Sequence, residues 1–257
     1  MSLQICSPQD FNYIDAHSHL PVDTKDRKLF LSEINKYKIL TLLNGMNIAS
    51  YKEAVELKKE CPYLIPSFGI HPWNVMEVSG NFENLVPYID ECDFLGEIGL
   101  DYVWAKEYSF PQQRKIFDFL LSQGMEKNKV ISLHTKGAEL EILEKLSVYK
   151  NCNRVIIHWY SGPLDLVPLF LNLGCYFTIS VDLGFSDVTE ELLKMIPLNR
   201  LLIETDGITA LEWINGEKSF PLYISKVAQR TASEKGMSIT DFNGVIKQNF
   251  FAILGKS

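Results

Sequence analysis

The chain has 257 residues, 46% of them hydrophobic, and a net charge of −7. That length suits one large α/β domain or two ordinary ones, and the apolar share allows a large core. The acidic balance and the lack of a long Lys/Arg run exclude a broad electrostatic footprint on duplex DNA, although a small cleft with metal ions and one or two cations can still hold a phosphodiester.

The first strand signal is FNYIDAHSHL, Phe11 to Leu20. Residues two apart on a strand share a face, so His17 and His19 point the same way and can supply two ligands to one ion. A helix follows over Asp23 to Lys38, with Asp23 or Thr24 as its cap. ILTLLNG, Ile39 to Gly45, is a short buried strand. SYKEAVELKKE, Ser50 to Glu60, is an amphipathic helix with Ser50 as its capping residue. YLIPSFGIHPW, Tyr63 to Trp73, is a third strand that runs into a loop. His71 precedes a proline there, which favours extended geometry; it is either a substrate contact or a loop-packing residue.

Asn81 to Glu91 is a helix that Pro87 makes short or irregular. DFLGEIG then forms a strand with one acid, Glu97, in its middle. Apolar residues on both sides suggest a buried parallel strand, where a carboxylate is costly unless a positive group meets it. The bland alternative is a Glu paired with Arg or Lys. Pro111 to Asn128 is the longest helix, with proline at its start. Val130 to His134 is a strand, Lys136 stands two residues past its end, and a helix begins at about Ala138. RVIIHWYSG repeats the pattern with His158. CYFTISV is the seventh strand and RLLIETDG the eighth, the latter carrying Glu204 and Asp206 at its end. Helices follow over Leu164 to Gly174, Ser186 to Pro197, Ser219 to Gly236 and Ile239 to Leu254.

Eight strands, each followed by a helical segment and undivided by a linker, point to one α/β domain over 1–257, with a short N-terminal extension over 1–10. A closed (β/α)8 TIM barrel is the leading expectation, and a doubly wound open sheet the alternative. The barrel is preferred because polar residues recur at the ends of six strands, and only a barrel brings all six to one mouth. No apolar run is long enough for a bilayer, and the N-terminus lacks the basic start and apolar core of a signal peptide. Cys6, Cys61, Cys92, Cys152 and Cys175 are scattered without a CxxC, as expected for reduced thiols in a cytoplasmic protein. No protein partner is readable.

The ligands expected at the mouth are His17, His19, Glu97, His134, His158 and Asp206. Four imidazoles and two carboxylates exceed what one ion open to substrate takes, and two ions with a bridging carboxylate would use them naturally. His17, His19 and Asp206 fall to one ion, His134 and His158 to the other, and Glu97 to the bridge. Asp206 can also take the proton of the attacking water. Glu204 is either a partner behind a ligand or a buried helix–sheet contact. The ligand types favour zinc or manganese and leave room for magnesium at the more carboxylate-rich position.

Six short motifs carry a resemblance: DAHSHL, GIHPW, GEIGLDY, LHTKGA, HWYSG and LLIETDG, in order at the ends of successive strands. From about Phe11 to Leu254 the chain resembles the TatD family of metal-dependent deoxyribonucleases, within the amidohydrolase-like barrels. The resemblance implies a distorted TIM barrel, the same six ligands, and phosphodiester hydrolysis that trims DNA from an end. It places His71 on the substrate side, and Asp101 and Tyr102 at the mouth. Three departures stand out. Lys136 replaces the family's Arg, turning a bidentate phosphate contact into a point charge. Lys129 stands where a proline is usual. GITALEWINGEKSFP follows Asp206 with Phe220 in the place of an Asn. The altered loop keeps a second possibility open, a hydrolase of a small phosphoester, amide or lactone. A binding barrel without catalysis is the third and is disfavoured by the intact ligand set.

Overall fold

The computed structural model describes residue 7 and residues 9–255, so Cys6 and most of the expected N-terminal extension lie outside the described residues. Eight strands form in chain order: β1 Tyr13–Ser18, β2 Ile39–Asn44, β3 Leu64–Ser67, β4 Phe94–Gly99, β5 Val130–His134, β6 Val155–Ile157, β7 Tyr176–Ile179 and β8 Leu201–Ile203. All pair in parallel. Helices follow them: α1 Thr24–Tyr37, α2 Ile48–Leu57, α3 Val86–Glu91, α4 Phe110–Glu126, α5 Glu139–Ser147, α6 Val167–Asn172, α7 Asp187–Met195, α8 Ala210–Asn215, α9 Ile224–Glu234 and α10 Ile239–Ile253. The strands read as near-continuous apolar runs because helices cover one face and barrel-filling side chains the other. Among the described residues no helix is long and apolar enough to cross a membrane.

The strands pair as two runs, β1-β2-β3 and β4-β5-β6-β7-β8. Two irregular seams join them into a TIM barrel. At one seam Phe68 N–H donates to Phe94 O at 3.1 Å and Gly96 N–H to Phe68 O at 2.7 Å. At the other, Asp206 N–H donates to the His17 carbonyl at 2.9 Å, and a side chain completes the junction. The buried Asp15 carboxylate accepts the Thr205 N–H at 2.9 Å and the Thr205 hydroxyl at 2.6 Å. Burial pushes the Asp15 carboxyl up to about 8 against these two hydrogen bonds.

Two expectations need correction and a third holds. The cap of α2 is Asn47, not Ser50: the Asn47 side chain accepts the Ser50 N–H while the Ser50 hydroxyl accepts the Asn47 N–H, a reciprocal box that starts the helix earlier. The 81–91 segment is short and irregular as expected: a 3-10 turn, Phe82–Leu85, is followed by α3, because Pro87 is tolerated only in a first helical turn. The segment after β8, read as loop, contains α8, which Gly216 ends at φ 83°.

Glycine at position 99 is dictated by contact. A Cβ there would lie 2.0 Å from the His134 carbonyl oxygen, so only a glycine lets β4 and β5 approach where the site is built.

Candidate metal centre

Each expected ligand stands at or near the C-terminal end of a strand. His17 lies on β1; His19 lies one residue past it, and the β1–β2 register breaks between Asp15 and Ser18. The two rings still converge, with Nε2 atoms 3.2 Å apart. Glu97 is on β4, and His134 is the last residue of β5. His158 directly follows β6. Asp206 follows β8 with φ 54°, a left-handed conformation that Asp tolerates better than most residues and that turns its carboxylate back over the mouth.

The geometry is organised on Glu97, which is 1% exposed. Its Oε1 lies 2.6 Å from His134 Nδ1 and 2.7 Å from His158 Nε2. Its Oε2 lies 3.0 Å from His19 Nε2 and 3.4 Å from His17 Nε2. Each oxygen therefore serves a different pair of imidazoles. Asp206 Oδ1 joins the second pair, 3.4 Å from His17 Nε2 and 3.5 Å from His19 Nε2. Burial alone would raise the Glu97 carboxyl, but His158, His71, His134 and His17 outweigh it and hold the group well below the ordinary range. Burial raises Asp206 to about 6, opposed by His158 and His19.

The outward nitrogens of three of the four imidazoles are also hydrogen-bonded. His17 Nδ1 lies 2.9 Å from Ser132 Oγ, and His19 Nδ1 3.1 Å from the Asn44 carbonyl. His134 Nε2 lies 3.1 Å from Asp101 Oδ2. His158 Nδ1 sits 3.5 Å from Glu204 Oε1, an ion-pair separation longer than a hydrogen bond. Such partners fix ring orientation and basicity, and their loss typically costs about 10–100-fold in metal affinity or activity. Asp101→Asn tests this at His134, with an expected loss of about 10–100-fold in metal affinity by competition with a chelator. Unchanged affinity would show that Asp101 does not support His134.

His71 differs from the other four. Its Nδ1 accepts the Trp73 N–H at 3.1 Å, so the ring hydrogen is on Nε2, which lies 3.5 Å from Glu97 Oε1. His71, Glu97 and His134 are close enough together to hold an ion, yet this tautomer presents a donor, not a lone pair, to the centre. Burial lowers the imidazole to about 4, with Glu97 pulling the other way, so it stays neutral.

The remaining expected residues lie further out. Lys136 Nζ donates to the Trp159 carbonyl at 3.0 Å and to Ser161 Oγ at 2.7 Å, at the edge of the mouth. Tyr102 stands apart from the cluster: its hydroxyl donates to Glu141 at 2.7 Å, and Arg114 pairs with the same carboxylate. Both Glu204 oxygens are buried without a hydrogen-bond partner. Ser132, Asn44 and Thr205 were not singled out in the sequence. A hydroxyl or a carbonyl behind a ligand, or a threonine that holds Asp15, carries no pattern of its own.

The donor set fits divalent metal. Two imidazole nitrogens face each other at 3.2 Å, and Asp206 Oδ1 is buried with no hydrogen-bond partner although two imidazoles flank it. Buried acceptors left this way are costly, and convergent N and O ligands of this kind are completed by a cation. Over 247 residues, covering 94% of this chain and 96% of its counterpart, the sequence is 28% identical to an uncharacterized metal-dependent hydrolase of Methanocaldococcus jannaschii. It is 24% identical to another from Bacillus subtilis, over 91% of this chain and 96% of the other. Barrel, centre and relatives together define a metal-dependent hydrolase. Residues 14–255 match the family described as TatD related DNase, and the chain belongs to that family. Its fold superposes on a TatD homologue of Escherichia coli K12 with a TM-score of 0.84 at 19% identity, over 94% of this chain and 97% of the other. A TatD family hydrolase of Entamoeba histolytica gives 0.77 at 19% identity, over 95% and 98%.

Proposed function

We propose that the chain hydrolyses phosphodiester bonds at DNA ends with two divalent ions held at the barrel mouth. The observation that carries this is the division of Glu97, one oxygen to His17 and His19 and the other to His134 and His158. In this reading His17, His19 and Asp206 would hold one ion, His134 and His158 the other, and Glu97 would serve both. Zinc or manganese suits the imidazole-rich position; magnesium suits the one that Asp206 shares. Ions so placed supply Lewis acidity and make water a nucleophile near neutral pH. Asp206, 10% exposed against 1% for Glu97, would accept the proton of the attacking water. His71 directs its Nε2–H into the centre, where it donates to a non-bridging phosphoryl oxygen. Lys136 adds a fixed positive charge at the rim. The family's description as DNases supports the choice of substrate. With a net charge of −7, contact is confined to a few nucleotides at an end and does not track a duplex.

The test is cleavage of end-labelled single-stranded DNA by metal-stripped protein, with magnesium, manganese or zinc returned in turn. A ladder shortened from one end is the expected result. No cleavage with any metal, from protein shown to bind two ions, would overturn the DNA reading and favour a small phosphoester, amide or lactone. The altered loop after β8 motivates that alternative, since α8 and the exposed Trp213 stand beside Asp206 in sequence.

A further inference from the structure

A cavity of about 420 Å³ has walls that come from three loops. Lys136 and Gly137 follow His134, Ser161 and Gly162 follow His158, and Val103 and Trp104 follow Asp101. Two of these loops run on from candidate ligands, and the third runs on from Asp101, the partner of His134. The cavity volume falls within the roughly 300–1,000 Å³ of small-molecule sites.

Two features of its walls are unusual for a surface. The first is Trp104, which is 68% exposed, on a loop that is firmly held. The buried Asp101 carboxylate gathers that loop: its Oδ1 accepts the Val103 N–H at 2.9 Å and the Trp104 N–H at 2.7 Å. Its Oδ2 accepts the indole N–H of Trp73, itself 46% exposed, at 2.7 Å and lies 3.1 Å from His134 Nε2. One carboxylate thus ties the Trp73 indole and the backbone of Trp104 to a candidate ligand. The second feature is Lys136. Two of its three N–H donors are taken by Trp159 O and Ser161 Oγ, and the ammonium lies 5.3 Å from the centre of the Trp159 ring, which fixes it in the wall of the same cavity. Glu139 also lines the cavity, but it is buried and its Oε1 accepts the Gly137 N–H at 3.1 Å.

An exposed indole and a fixed cation that line one cavity match a group that carries both a flat ring and a negative charge. We propose that this cavity receives the unpaired nucleotide next to the cleaved bond, its base stacked on Trp104 and its phosphate on Lys136. The inference rests on the phosphodiesterase reading and names the part of the substrate that this side of the mouth holds. Every base has a stacking face, so the subsite tolerates all four. Tyr160 takes no part, being buried with its hydroxyl on the Pro163 carbonyl.

Calorimetric titration of the metal-loaded full chain with dAMP and with 2-deoxyribose 5-phosphate tests the inference. The wild-type protein should bind dAMP more tightly than the sugar phosphate. Trp104→Ala should weaken dAMP by about tenfold or more and leave the sugar phosphate unaffected, with Trp104→Phe restoring most of the loss. Lys136→Gln should weaken both. Equal binding of the two ligands by the wild type, or an equal loss of both in Trp104→Ala, would overturn the subsite. Strand cleavage scored alongside separates the two readings. Protein that cleaves strands without preferring dAMP loses only the subsite. Protein that shows the dAMP pattern and cleaves nothing loses only the phosphodiesterase reading.

Discussion

Glu97→Gln will leave a folded barrel that binds less than its full complement of metal and turns over more slowly by a factor on the order of a thousand. The amide keeps the shape of the carboxylate but has a single acceptor oxygen. Whichever way it turns, its NH2 faces one pair of imidazole nitrogens, His134 and His158 at 2.6 and 2.7 Å or His19 and His17 at 3.0 and 3.4 Å. It also removes the negative charge on which all four rings converge. Metal content per chain by elemental analysis, with turnover and circular dichroism, gives the result. A folded mutant with two equivalents of metal and wild-type turnover would remove Glu97 from the bridge.

Chelation will lower the midpoint of thermal unfolding by on the order of 10 °C. A ligand at about a thousand times its dissociation constant contributes roughly 4 kcal/mol, and about 1 kcal/mol moves a domain of this size by roughly 2–4 °C. The direction follows from what the stripped site contains: a buried acceptor on Asp206 without a partner and imidazole nitrogens facing each other. Scanning calorimetry of stripped and reloaded protein measures the difference. Superimposable melts would mean that these residues do not form a metal centre.

Much of the architecture was readable because its signals are local. Apolar runs of strand length alternate with helical periodicity, and a histidine or carboxylate at the end of a run marks the mouth. The errors fell where another interaction competes with the local pattern. Asn47 displaces Ser50 as the α2 cap because the two act as a reciprocal pair. At the site, the ligand types and their ordering could be read, whereas their supports could not. That Asn44 offers His19 a backbone carbonyl, or that Ser132 stands behind His17, depends on register between strands distant in sequence. His71 was left between two roles by its sequence. Its environment separates it from the other histidines, because a backbone N–H on Nδ1 dictates which nitrogen faces the centre.

The division of the strands into runs of three and five gives the centre a mechanical role as well. His17 and His19 belong to the first run; Glu97, His134, His158 and Asp206 belong to the second. A filled centre would therefore rivet the two sheets together beside both seams, where the ladder is thin and depends on a few bonds such as Gly96 N–H to Phe68 O and Asp206 N–H to His17 O. Local opening is easiest where such bonds are few. Loss of metal should thus appear first as faster hydrogen exchange at the amides of Gly96 and Asp206, while the paired interiors of β5 and β7 stay protected.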